Sequence, residues 1–75
     1  MLVKIYDYAN QRECYINPDH VSFSVLMSNA TISTGEIIKH YLVLSLLGYS
    51  MQFAIDATQN KKLLAKLNID IPGIE

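Results

Sequence analysis

Apolar and polar residues alternate with a period of two through most of the chain up to residue 55, and a helical spacing follows only after that. In residues 2–8, Val3 and Ile5 fall on one side and Leu2, Lys4, Tyr6 and Tyr8 on the other. Successive strand residues point to opposite faces, so this spacing predicts a first strand. Ala9-Asn10-Gln11 reads as a turn and residues 12–16 as a second strand. Asn17-Pro18-Asp19 breaks the run, because proline has no N–H to donate and holds Asn17 extended. The third strand, 20–27, has the cleanest alternation. Val21, Phe23, Val25 and Met27 alternate with His20, Ser22, Ser24 and Leu26, which predicts one face on a core and one toward water.

Residues 28–35 are polar and read as a loop, or as a loop holding a short edge strand near residues 30–33. Residues 37–47 are apolar on both sides, with Tyr41, Val43 and Leu47 on one and Leu42, Leu44 and Leu46 on the other. That pattern predicts a central strand covered on both faces, with helix as the competing reading. Gly48 separates it from another alternating run, 49–55, and predicts a tight hairpin. Asp56 then suits an N-cap, with Gln59 three residues on, for a helix over 57–67. Leu63, Leu64 and Leu67 share a face of it, Lys61, Lys62 and Lys66 suit the negative end of its dipole, and Asn68 suits a left-handed stop. The tail, 69–75, carries three isoleucines and is expected to dock on the sheet or reach a neighbouring chain. Strands followed by a helix make the α+β class. The expected fold is one domain, an antiparallel β-meander of four or five strands with one C-terminal α-helix packed on one face.

Composition adds three constraints. At 75 residues the chain builds one small core, and Cys14 alone forms no internal disulfide, so self-association, a dimer first, is an expected source of stability. Hydrophobic residues make up 51% and charged residues 17%, an apolar excess that leaves surface for contacts. The net charge of −1 lacks the basic excess of a nucleic-acid binder. The apolar uncharged stretch 41–55 is too short to span a bilayer. Met1-Leu2-Val3-Lys4 runs straight into a strand pattern without the features of a signal peptide. A cytoplasmic protein away from the membrane is the expectation.

No catalytic constellation is expected. Cys14, His20 and His40 lack metal-ligand spacing, and each reads more simply as a sheet residue, so no metal or cofactor is assigned. A fold-back at Asn17-Pro18-Asp19 would be needed to bring Cys14 to His20. The three glycines lie too far apart for a phosphate loop. The five tyrosines, Tyr6, Tyr8, Tyr15, Tyr41 and Tyr49, combine apolar area with a polar tip and are the candidate partner-binding residues. A sheet edge at residues 2–8 or 30–33 would admit a partner strand. The expected function is a small non-catalytic protein-binding module, a regulator, adaptor or inhibitor of the kind phages and mobile elements encode. The alternative is single-stranded nucleic-acid binding, with tyrosines stacking on bases and Lys61, Lys62 and Lys66 on phosphates.

Overall fold

The computed structural model describes residues 1–71. Five strands precede one short helix: β1 (Val3–Asp7), β2 (Arg12–Ile16), β3 (Val21–Thr31), β4 (Ile37–Leu46), β5 (Gln52–Asp56) and α1 (Lys61–Lys66). All pairings are antiparallel, and the α+β class holds. The strands divide, however, into a two-stranded sheet, β1-β2, and a three-stranded sheet, β3-β4-β5. The expected continuous meander is interrupted where Pro18–His20 forms a 3₁₀ turn. Asn17 caps that turn by accepting from the Asp19 N–H (3.0 Å), so β2 and β3 do not pair. Tyr8 N–H donates to the Ala54 carbonyl (2.7 Å) and joins the end of β1 to β5.

The core lies between the two sheets and α1. Ile5 and Ile16 come from the first sheet, Leu42, Leu44, Leu46, Phe53 and Ile55 from the second, and Leu63 and Leu64 from α1. Ile71 is buried in the same cluster and Ile69 packs against it, so the first part of the tail docks on the core. The remainder of the tail lies outside the described residues.

Strand β3 departs most from expectation. It continues to Thr31, through Asn29 in the left-handed region at φ 58°, and absorbs residues 28–31 of the segment read as a loop or a loop with a short edge strand, while 32–35 remain a turn. None of its residues is buried. Pairing places Leu26 beside the core residue Leu42, while Val25 sits beside Val43 and Met27 beside Tyr41 on the opposite face. Phe23, Val25 and Met27, expected in the core, therefore point outward and stay about half exposed. The core side of this sheet follows the leucines of β4, which reach Ile55 and Phe53 across β5.

Two further boundaries differ. The β4–β5 connection is a five-residue loop, 47–51, opened by a turn in which Tyr49 N–H donates to the Leu46 carbonyl (3.2 Å). The expected single helix is a 3₁₀ turn (Ala57–Gln59) followed by α1. Asp56 caps the 3₁₀ turn through Thr58 N–H (3.0 Å), and Asn60 Nδ2 donates back to the Asp56 carbonyl (2.9 Å). Side-chain bonding of this kind competes with helix and restarts it at residue 61. Lys61 and Lys62 thus sit in the first turn of α1, and only Lys66 is at the end that favours a positive charge.

Candidate functional site

The anchor of the site is a carboxylate. Asp7 is fully buried at the end of β1, on the side that carries Val3 and Ile5. Its Oδ1 accepts from Ala9 N–H (3.0 Å), Asn10 N–H (3.4 Å) and Ala54 N–H (3.0 Å). Its Oδ2 accepts from Asn10 Nδ2 (2.7 Å) and faces Arg12 Nε at 3.9 Å. One side chain therefore shapes the β1–β2 turn and ties it to β5 in the other sheet. An aspartate that bonds the backbone two residues on is the mark of an Asx turn. The signal lay in Asp7 preceding Ala9-Asn10 on the core-facing parity of β1, and sequence reasoning missed it.

With Asp7 turned inward, its neighbours Tyr6 and Tyr8 turn outward. Their rings meet edge to face, with centroids 4.8 Å apart and an interplanar angle of 71°. They form the shared wall of two hollows. The larger, about 440 Å³, lies between the tyrosines, Gln11, Gln59 and the β3–β4 turn with Ile32, Ser33, Thr34 and Glu36. Gln11 Nε2 donates to Ser33 Oγ (2.8 Å) across one end. The second hollow adds Lys4, Glu13, Asp56 and Asn60. A third continues past Lys4 and Asn60 to Lys61 and Lys62. The three share lining residues and make one open groove along the outer side of β1. The run from Tyr8 to Lys4 is about 14 Å of strand, room for four or five extended residues.

The groove is polar at its margins and acidic around Tyr8. Burial, then the carboxylates of Asp56 and Glu36, then Tyr6, push the Tyr8 phenol above its ordinary value. Lys4 is held 3.5 Å from Glu13 in an exposed pair.

The other candidates disperse. Tyr15 is exposed on β2 opposite Lys4, on the same side of the hairpin as Tyr6. Tyr41 lies on β4 between Met27 and Asp56, its phenol raised by burial and by Asp7. Tyr49 is exposed in the β4–β5 loop, edge-on to Phe53 at 5.8 Å. Lys61 and Lys62 reach the far end of the groove, while Lys66 lines a separate hollow with Asn17 and Asp19. Cys14 faces Ile5 in the first sheet, and burial and Asp7 raise its thiol, outweighing the lowering by Arg12. His20 closes the 3₁₀ turn, and its carbonyl accepts from Leu47 N–H (2.8 Å). His40 sits on β4 opposite Ser28. Among the described residues no group of three His, Cys, Asp or Glu side chains is placed to hold a metal, and no helix is long and apolar enough to cross a membrane. Comparison with family models, curated proteins and solved structures gives no match.

Proposed function

We propose that this protein is a non-catalytic protein-binding module whose ligand is an extended segment of a partner protein, laid along the Tyr6–Tyr8 groove. The observation that carries the reading is the outward tyrosine pair set between two hollows. Aromatic walls with amide donors beside them suit extended segments, proline-bearing ones above all, because such segments lose little entropy on binding. Gln11, Gln59 and Asn60 supply the amides. Glu36 and Asp56 flank Tyr8 and suit a lysine or arginine on the ligand. The same carboxylates repel a phosphate backbone, which weighs against the nucleic-acid alternative even though Lys61 and Lys62 lie at the far end of the groove.

The test is capture of partners from lysate with and without nuclease, comparing the unaltered chain with Tyr6→Ala and Tyr8→Ala. A nuclease-resistant partner lost from both variants, with far-UV circular dichroism unchanged, is the expected result. The affinity loss expected for each aromatic anchor is about tenfold or more. A partner retained by both variants, or one released by nuclease, overturns the reading.

A further inference from the structure

We propose that the free edge of β3 is an interface between two copies of this chain, paired antiparallel about a two-fold axis at Val25. The inference is independent of the tyrosine groove, which lies on other strands.

Three observations carry it. First, β3 is an outer strand of its sheet and the longest in the molecule, at 11 residues, yet it buries none of them. Second, its sequence, VSFSVLMSNAT, contains no charged residue and no proline. Monomeric proteins commonly guard a strand edge with lysine, proline or a covering segment, because an edge exposes unpaired N–H and C=O groups. The register shift in its pairing, between Val21 and Phe23, lies at the start, and 23–31 keep one register with β4 on either side of the left-handed Asn29. Third, Phe23 is 53% exposed, Val25 45%, Leu26 38% and Met27 47%. Phe23, Val25 and Met27 share the outer face and together present on the order of 300 Å² of exposed surface per copy, comparable to the largest apolar patch of a typical monomer, a patch that is often functional.

The occupant follows from the order of the residues. Read in reverse, Phe23-x-Val25-x-Met27 presents the same three apolar positions, so the strand complements itself. An axis normal to the sheet at Val25 sets Val25 against Val25 of the second copy, and Phe23 of each copy against Met27 of the other. Large apolar pairs directly opposite one another are the stabilising unit of an antiparallel sheet. On the other face the same register sets Ser24 against Leu26. With no charge on the strand, nothing repels an identical copy and nothing calls for a charged partner. Each three-stranded sheet becomes half of a six-stranded one, and the self-complementary contact closes at two subunits. An interface of one strand edge lies at the small end of specific interfaces, so a weak, concentration-dependent dimer is expected.

Two measurements on the full chain test this. Sedimentation velocity from a few micromolar to a few hundred micromolar should show a monomer–dimer equilibrium. Val25→Lys, which puts two like charges at the axis, should shift dissociation at least tenfold. In a Cys14→Ser background, Val25→Cys should form an intermolecular disulfide on mild oxidation while Phe23→Cys should not. In this register two copies of position 23 are about 14 Å apart along the strands, beyond disulfide reach. A chain monomeric at every concentration overturns the proposal. So does a dimer indifferent to Val25→Lys, or one linked through position 23 and not 25. Tyr6→Ala should leave the dimer intact, so failure of the groove reading and failure of this one are told apart.

Discussion

Removing the Asp7 carboxylate would strand the buried Ala54 N–H and take the acceptor from the Ala9 and Asn10 donors, which lie nearer the surface. Donors stranded away from water cost more than the bonds contribute when formed, so Asp7→Ala should destabilise the fold by about 3 kcal/mol. Asp7→Asn keeps an acceptor oxygen for Ala54 and Ala9 and should cost about half as much. Urea unfolding followed by circular dichroism reads both; equal losses would show that the charge, not the acceptor geometry, holds the turn. A second expectation at this scale concerns alkaline pH. Tyr8, Tyr41 and Cys14 all have their proton held more tightly in the folded state, each chiefly through burial. Their contribution to stability is therefore complete below the ordinary values of these groups and lost as pH rises through the raised folded-state values. The melting temperature should fall from about pH 9 upward, and Tyr8→Phe with Tyr41→Phe should flatten that fall. The Cys14 thiol should alkylate more slowly at pH 8 than a free cysteine, since only the thiolate reacts.

At the scale of elements, what was legible followed local chemistry. The first two strands and β4 were readable because alternation or a doubly apolar run survives in each, and their bounds agree within a residue or two. Asn68 does take the left-handed conformation, at φ 57°. Ile69 N–H then donates to the Leu64 carbonyl (3.0 Å) and Asn68 N–H to that of Ala65 (3.3 Å), the paired bonds of a Schellman stop. Asn68→Ala should lower stability by about 1 kcal/mol and Asn68→Gly should preserve or slightly raise it, as thermal melts would show. Gly48, at φ 83° with open space around its missing Cβ, should lose a similar amount on change to alanine through conformation alone. What was not legible was how the elements meet. The break at Asn60 depends on its side chain finding the Asp56 carbonyl, and nothing in the spacing of leucines forbids a continuous helix there. The groove needs the β3–β4 turn to arrive beside Tyr6 and Tyr8, a contact 24 or more residues away in sequence that no local pattern encodes.

For the whole molecule, the exposure of β3 is the informative feature. Its alternation is as regular as that of any core strand, and the expectation that Phe23, Val25 and Met27 are buried is sound physics applied to a single copy. The single copy spends its one core on the leucines of β4, which Ile5, Ile16, Leu63 and Leu64 already cover. An apolar run on an edge strand that the monomer leaves unpaired gains apolar neighbours when a second chain lays its own Phe23, Val25 and Met27 alongside. A domain of this size holds only about 3–5 kcal/mol of net stability by itself. Coupling to a dimer then makes apparent stability depend on concentration, because association stabilises only the folded form. The melting temperature should therefore rise measurably when protein concentration is raised about a hundredfold through the micromolar range. Val25→Lys should weaken that dependence and melt near the dilute value of the unaltered chain, since the side chain it replaces is half exposed on the outer face beside Val43. Differential scanning fluorimetry across a dilution series decides it: parallel melts at every concentration would mean that this small core stands alone, and that the bare strand serves some other partner.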